Sequence, residues 1–163
     1  MKHITIATAA TLLMVSCNTT NPLLQESTLP YGAPQFDKIR NEHYMPAFRQ
    51  GIEEAKAEID AIVANTDAPS FENTIEAMER SGKTLNRVSN IFFNVLEADS
   101  DEQMQRIAEE VSPLLNEYEM YVSLNEALFA KVKAVWEQRE SLGLEKDQLR
   151  LLEKTYKGFT RGG

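Results

Sequence analysis

The stretch that decides the fold is Pro69-Ser70-Phe71-Glu72-Asn73-Thr74-Ile75-Glu76-Ala77-Met78-Glu79-Arg80-Ser81-Gly82. A serine hydroxyl accepts hydrogen bonds from N–H groups that the first helical turn leaves unpaired, so Ser70 predicts a helix start. Because glycine within a helix costs about 1 kcal/mol relative to alanine, Gly82 predicts the close approach of another helix. Apolar residues recur at helical spacing and predict one long helix to about Ala98: Phe71, Ile75, Met78, Leu85, Val88, Phe92 and Val95.

Similar stripes predict a helix on each side of this stretch. The earlier helix opens near Asn41, with Pro46 tolerated in its first turn. The later helix opens at Ser100, because Ser100 and Gln103 have the spacing of a capping box. Pro113 lies inside this helix, and we expect a kink beside it.

Two alternatives stay open for the next segment. Ser123 and Glu126 have capping-box spacing and predict a separate helix, but the preceding helix could also run on. A last amphipathic helix is predicted between Leu149 and Phe159, and its bulky apolar side chains indicate that more protein belongs downstream to cover them. Because only short breaks separate the helices, the sequence predicts an all-α fold, arranged as an antiparallel helical bundle.

The composition excludes several classes of function. The 163 residues carry a formal net charge of −8 without a basic stripe to replace phosphate counterions, so no nucleic acid partner is expected. A single cysteine excludes an intrachain disulfide. The length fits one domain with an N-terminal appendage.

Residues 1–16 have the pattern of a targeting signal. A basic start, Met1-Lys2-His3, precedes an apolar run that is shorter than the roughly 20 residues a membrane-spanning helix needs. Met14-Val15-Ser16-Cys17 resembles a bacterial lipobox, which implies that Cys17 is lipidated and becomes the mature N-terminus. An ordinary secretory signal with a chance cysteine is the alternative.

The predicted organisation therefore has three parts: a lipoprotein signal peptide at 1–16, a tether at 17–33 and a helical domain at 34–163. The tether prediction depends on a region rich in Asn, Thr, Pro, Ser and Gly without a helical period. With Cys17 acylated, the membrane surface is the predicted partner. The predicted location is the cell envelope, on the periplasmic side or at the outer membrane.

Residue patterns for catalysis or metal binding are missing. A catalytic zinc site needs three converging protein ligands, and Glu42-His43 has no second histidine four residues on, where Ala47 stands. No serine lies in a G-x-S-x-G turn. Adjacent carboxylates such as Glu53-Glu54 and Glu109-Glu110 splay apart on a helix and indicate solvated faces. We therefore assign no catalytic and no metal-binding residue.

Aromatic side chains offer one candidate for a binding recess. Tyr118 and Tyr121 with Trp136 could form it. Aromatic residues at helical spacing are usually core residues, so a structural role is the alternative. The residues by themselves predict an anchored helical domain without a visible active site.

The helical body also contains a series of short motifs in a specific order and spacing: Phe36-Asp37-Lys38-Ile39-Arg40, Glu42-His43-Tyr44-Met45-Pro46-Ala47-Phe48, Pro69-Ser70-Phe71-Glu72-Asn73-Thr74-Ile75-Glu76 with Ser81-Gly82, Ser112-Pro113, Leu124-Asn125 with Leu128-Phe129, Gln148, Leu151-Leu152-Glu153 and Gly158-Phe159-Thr160-Arg161. Over residues 34–163 this series resembles the N-terminal part of bacterial peptidyl-dipeptidases (dipeptidyl carboxypeptidases). These belong to the thimet oligopeptidase and oligopeptidase A family of zinc metallopeptidases.

This resemblance implies an all-helical protein with a deep channel between two lobes, one zinc ion near the middle and short peptides as substrates. Family members of this type release dipeptides from the C-terminus. The resemblance also implies that this segment is part of the channel wall and that the zinc motif lies beyond residue 163. No catalytic or zinc-binding position is therefore carried over, and these residues alone are expected to be inactive. The competing hypothesis is a stand-alone helical lipoprotein that binds a protein partner without catalysis.

Overall fold

The computed structural model describes residues 21–161, which form helices joined by short loops. No strand occurs within this range, which confirms the predicted all-α fold. Two 3₁₀ turns precede the first α-helix, and a π-helical segment, Phe71–Glu76, leads into the second. The α-helices are α1 (Asn41–Ala64), α2 (Ala77–Arg80), α3 (Lys83–Ala98), α4 (Glu102–Ser123), α5 (Glu126–Glu137) and α6 (Lys146–Arg161).

The main core lies where α1 packs against α3 and α4. Aromatic rings meet edge to face at its centre, because the Phe92 ring centroid lies 4.8 Å from that of Tyr44 and 5.4 Å from that of Phe48. Phe48 and Phe92 are fully buried, and burial of such a side chain contributes about 1.5–3 kcal/mol. The buried members of the main core are Leu23, Tyr44, Ala47, Phe48, Ile52, Ala55, Leu85, Val88, Phe92, Met104, Ile107 and Val111.

A smaller α5–α6 cluster forms where these two helices pack on the π-helical segment. Its buried members are Phe71, Ile75, Val132, Val135 and Leu152. A third group, the joining cluster, connects the end of α1 to the start of α5 through Ile59, Ile62 and Leu128. The two ends of α1 therefore serve different clusters, and α1 holds them together.

The predicted long helix from Ser70 to Ala98 is broken at Ser81 and Gly82, so that prediction is wrong in its extent. Its start is confirmed, since Ser70 Oγ accepts the N–H of Asn73 at 3.1 Å. Gly82 has φ of 68° and precedes α3 as its N-cap, a left-handed conformation that suits a residue without Cβ. A Cβ there would meet nothing nearer than 3.6 Å, so Gly82 makes a turn and not the predicted close helix approach.

The close approach occurs at Gly51 of α1 instead. A Cβ on this residue would lie 3.0 Å from backbone atoms of Leu85 in α3. Interiors are packed too densely to absorb such a contact without movement of one helix. Gly51 therefore permits the tight α1–α3 contact on which the main core is built.

Two prolines lie inside helices, and both helices continue past them. Pro46 is in the second turn of α1 and not, as predicted, in its first. It therefore removes one backbone hydrogen bond, the one that its N–H would have donated to the Glu42 carbonyl. Helix α4 runs through Pro113 to Ser123, and the Ser112 hydroxyl donates to the Ala108 carbonyl at 2.6 Å.

The observed helix caps lie one and two residues after the predicted serines. Asp101, and not Ser100, caps α4, because its carboxylate accepts the Met104 N–H at 2.7 Å. Asn125 caps α5 by accepting the Leu128 N–H at 2.9 Å. Helix α5 is thus a separate helix, which decides between the two alternatives left open by the sequence.

The segment predicted as a tether is packed from Asn21 onward. Leu23 is 1% exposed and belongs to the main core. The Asn21 amide donates to the His43 carbonyl at 2.8 Å, and Arg87 Nε donates to the Leu23 carbonyl at 3.3 Å. The packed body therefore begins before the boundary predicted at residue 34, whereas a tether would leave residues 21–24 without such contacts. Residues 1–20, with the signal peptide and Cys17, lie outside the described range.

The apolar face of α6 is largely covered by the chain itself. Leu152 is fully buried, and Tyr156 and Phe159 are half-buried in the α5–α6 cluster. Leu149 remains 40% exposed. The chain itself therefore covers Leu152 fully and Tyr156 and Phe159 in part, and Leu149 is left the most exposed of these side chains.

Candidate functional site

A cleft of about 580 Å³ lies between the α2–α3 junction, the C-terminal half of α4, and α6. Apolar side chains from the joining cluster and the α5–α6 cluster form its floor, and polar groups lie among them. Its lining includes Met78, Ser81, Asn86, Tyr118, Lys154 and Phe159. Such a mixture of apolar surface and a few polar groups is typical of a binding cleft.

The α2–α3 junction is held by an acidic side chain from α1. Glu58 Oε2 accepts the N–H of Gly82 at 2.6 Å, and glycine has no side chain with which to cap α3 itself. A carboxylate is favourable at a helix N-terminus, where the backbone N–H groups are unpaired. The Ser81 hydroxyl donates to the Met78 carbonyl at 2.7 Å, which closes the end of α2.

Two tyrosines of α4 lie beside this junction in different environments. Burial raises the pKa of the Tyr118 hydroxyl, and the charge of Glu58 raises it further. Tyr121 donates a hydrogen bond to the Asp60 carboxylate, and that bond raises the pKa of Tyr121. Both hydroxyls therefore stay neutral at physiological pH. Tyr118, which lines the cleft, can act there only as a hydrogen-bonding group.

The groups in the cleft can bind but do not form a catalytic set. Within residues 21–161 no three His, Cys, Asp or Glu side chains are grouped closely enough to hold a metal ion. The sole histidine of this range, His43, uses Nδ1 to accept the backbone N–H of Arg40 at 3.0 Å, which stabilises the start of α1. The Ser81 hydroxyl has no base among its described partners that would make it nucleophilic.

The aromatic recess predicted from Tyr118, Tyr121 and Trp136 does not exist. Tyr118 packs against the main core and Tyr121 against the joining cluster. Trp136 instead stacks on Tyr156 of α6, with 4.9 Å between ring centroids and an interplanar angle of 7°. The carboxylates of Glu53-Glu54 and Glu109-Glu110 are exposed on helix faces, as their spacing predicted.

Sequence reasoning missed the aromatic column between α5 and α6. Phe129 stacks on Phe159 with 5.5 Å between centroids, and Arg139 lies 4.3 Å over the Trp136 ring. The signal was present in the spacing, because Phe129 and Trp136 lie seven residues apart and share a face of α5. The column packs α6 against α5 and leaves all its rings partly exposed.

Two groups of large apolar side chains are exposed on the described surface. Met120 and Leu124, one turn apart at the end of α4, are 58% and 59% exposed. Leu29, Tyr31 and Phe36 project from the N-terminal segment, and Tyr31 has a φ of 61° that is uncommon for a residue other than glycine. None of the described helices combines the length and apolar character needed to cross a membrane.

The comparisons with known proteins give the class of this chain. No family model matches it. It is 47% identical over 145 residues to the dipeptidyl carboxypeptidase of Escherichia coli (strain K12), covering 89% of the chain and 21% of that protein. The dipeptidyl carboxypeptidase of Salmonella typhimurium is 46% identical over 144 residues, covering 88% of the chain and 21% of that protein.

A more distant match, at 24% identity over 144 residues, is the oligopeptidase A of Salmonella typhimurium, again with 88% of the chain and 21% of that protein covered. The chain is therefore similar in sequence to a segment of the dipeptidyl carboxypeptidases and, more distantly, to the same share of oligopeptidase A. The predicted resemblance is confirmed. The chain spans about a fifth of the length of these curated relatives, as their 21% coverage states.

Proposed function

We propose that these residues form the N-terminal portion of the channel wall of a zinc-dependent peptidyl-dipeptidase that acts on short peptides. The observation that carries the proposal is the 47% identity over 89% of the chain with a dipeptidyl carboxypeptidase. In this proposal the whole protein releases dipeptides from the C-termini of its substrates. The role of this segment is to shape the channel that admits them.

The described residues fit a wall and do not fit a zinc site. A catalytic zinc ion needs three protein ligands, and residues 21–161 offer no such group. We therefore assign no step of the hydrolysis to them. When bound, zinc would supply a metal-bound water as nucleophile, and a glutamate would serve as general base, both held by other residues of the protein.

Several features support a wall. The main core fixes α1 against α3 through buried rings, and the aromatic column fixes α5 against α6. A rigid wall excludes large folded proteins by shape and loses little conformational entropy when a peptide enters. The cleft beside Tyr118 and Lys154 offers hydrogen-bonding groups along that wall.

Activity of the purified 163-residue chain tests this assignment. With zinc added, we expect no hydrolysis of a blocked oligopeptide above the rate without protein, because residues 21–161 offer no group of side chains that could hold the zinc ion. The control is the same assay with a full-length dipeptidyl carboxypeptidase. Zinc-dependent turnover by the chain alone, abolished by a chelator, would contradict the proposal.

The coding sequence distinguishes this proposal from a partner-binding lipoprotein. An open reading frame that continues past Gly163 and encodes H-E-x-x-H favours the peptidase. A stop codon directly after Gly163 favours a stand-alone helical protein. Exposed Met120 and Leu124 would then be the first residues to test as a partner surface.

We also propose that Cys17 is acylated and holds the protein at the membrane surface of the cell envelope. The lipobox-like Met14-Val15-Ser16-Cys17 supports this. More than one acyl chain makes attachment stable, since each buried CH₂ contributes about 0.8 kcal/mol. Replacement of Cys17 by alanine should move the protein from the membrane to the soluble fraction and abolish labelling by a fatty acid. Membrane association unchanged by Cys17→Ala would refute the anchor.

A further inference from the structure

A second cavity, of about 400 Å³, lies between the N-terminal segment and the first half of α3. Pro22, Leu23 and Pro34 contribute apolar surface on the side of the segment. The loop that forms this side is closed by a hydrogen bond from the Ser27 hydroxyl to the Ala33 carbonyl at 2.5 Å. The cavity is therefore built by two parts of the chain and closed on one side by an ordered loop.

The polar lining of this cavity consists of cations and hydrogen-bond donors. Residues one turn apart on α3 present one face to it, and two glutamines of the N-terminal segment lie opposite. They are Lys83, Asn86, Arg87, Asn90, Gln25 and Gln35. No carboxylate occurs among the described residues that line it, although the chain has a net charge of −8. Such a lining attracts an anion in an otherwise acidic protein.

The Arg87 side chain is oriented by the protein. Its Nε donates to the Leu23 carbonyl at 3.3 Å, which leaves the two terminal nitrogens of the guanidinium for another acceptor. Glu54 of α1 is the acidic residue whose charge interacts with that of Arg87. Its carboxylate accepts a hydrogen bond from the Gln50 amide at 2.8 Å and forms no ion pair with Arg87. Within residues 21–161, neither Lys83 nor Arg87 has a carboxylate within ion-pair distance.

We propose that this cavity binds a ligand with two or more carboxylate groups, one held by Arg87 and another by Lys83. A guanidinium binds a carboxylate through two parallel hydrogen bonds, and the asparagine and glutamine amides can donate to its remaining oxygens. The cavity is at the lower end of the range of ligand pockets, which suits a small dicarboxylate or the side chains of a short acidic peptide. This cavity shares only Asn86 with the lining of the cleft beside Tyr118, and the proposal does not depend on the proposed peptidase function.

The test is a calorimetric titration of the full chain with succinate, with an Asp-Glu dipeptide and with acetate. We expect succinate or Asp-Glu to bind and acetate to bind at least about tenfold more weakly, because it has one carboxylate. Binding of succinate but not of Asp-Glu identifies a small free dicarboxylate as the ligand. The reverse identifies an acidic peptide segment. Absence of binding by both overturns the proposal.

Variants decide whether the binding occurs in this cavity. Arg87→Gln and Lys83→Gln should each weaken binding by about tenfold or more. Arg150→Gln on α6 removes a surface cation outside the cavity and should leave binding unchanged. Arg87→Lys keeps the charge and should weaken binding less than Arg87→Gln, while circular dichroism checks that each variant is folded. An equal loss in Arg150→Gln and Arg87→Gln would show non-specific attraction and overturn the proposal.

Discussion

The main core and the α5–α6 cluster both depend on aromatic rings, but they use them differently. In the main core, Phe48 and Phe92 are fully buried and meet edge to face. In the α5–α6 cluster, Trp136 and Tyr156 stack in parallel and remain half-exposed. The first arrangement removes nearly all of the ring area from water, whereas the second leaves part of it exposed.

This difference indicates that the main core supplies most of the stability, whereas the α5–α6 cluster supplies exposed apolar surface. The helices that carry the main core, α1, α3 and α4, would form the rigid part of a wall. Helices α5 and α6 present partly exposed rings to their surroundings, and α6 also lines the cleft. Substitutions in the main core should therefore cost more free energy than matched substitutions in the α5–α6 cluster.

The largest expected effect is that of Phe92→Ala. We expect the free energy of unfolding to fall by about 3–5 kcal/mol, because the substitution removes a buried ring and leaves a cavity. Tyr156→Ala removes a half-exposed ring and should cost about 1–2 kcal/mol. Urea unfolding followed by circular dichroism measures both. Equal losses would contradict the proposed difference between the two clusters.

The next effect compares two glycines inside helices, one in each region. Alanine at Gly158 of α6 meets nothing within 4 Å and should raise the free energy of unfolding by about 1 kcal/mol through helix propensity. Alanine at Gly51 has the same propensity gain but collides with the Leu85 backbone at 3.0 Å. Since overpacking costs about 1–3 kcal/mol, Gly51→Ala should be neutral to destabilising and less stable than Gly158→Ala by roughly that amount. A Gly51→Ala variant as stable as Gly158→Ala would refute the close approach.

A smaller effect is expected at the junction between the regions. Gly82→Ala has room for the new methyl group, but it forces a residue with a Cβ into left-handed backbone at φ of 68°. The expected loss of stability is about 1 kcal/mol. Thermal unfolding of Gly82→Ala is compared with that of Gly82→Asn. The asparagine variant should lose less stability, because asparagine adopts the left-handed conformation more readily than alanine. A Gly82→Ala variant more stable than the parent would mean that the helix continues through this position.

The smallest effect concerns the helix caps of the two regions. The Met104 N–H and then the Asn41 amide lower the pKa of the Asp101 carboxylate. A lowered pKa in the folded state gives stability that is present above the unfolded value of about 3.9 and is lost as the pH falls through the folded value. The cap of α5, Asn125, does not titrate. Thermal unfolding between neutral pH and pH values below about 4 should therefore show a shallower acid dependence in Asp101→Asn than in the parent. An unchanged slope would contradict the role of Asp101.

The positions of the helices were predictable because apolar residues at steps of three and four specify one face. The break at Gly82 could not be predicted, because a glycine on an apolar stripe is compatible with either a close helix approach or a turn. The close approach at Gly51 was not predicted, because the sequence around Gly51 does not specify which residue of α3 lies opposite it. The α4 cap was assigned to Ser100 and not to Asp101 because both side chains cap helices well.

The candidate site was predictable only in part. The resemblance to dipeptidyl carboxypeptidases could be read from the order of short motifs and is confirmed by the matches. The aromatic recess was wrong because it needed Trp136 of α5 to face α4, and helical spacing alone does not specify which neighbour a face meets. The two cavities depend on contacts between distant segments, which no local pattern reports.

The burial of Leu23 also limits how far the body can stand from a lipid surface. Six peptide units separate Cys17 from Leu23, and an extended chain spans at most about 3.6 Å per residue, or roughly 22 Å in total. An acylated Cys17 would therefore keep Leu23, and the part of the main core around it, within roughly 22 Å of the lipid headgroups.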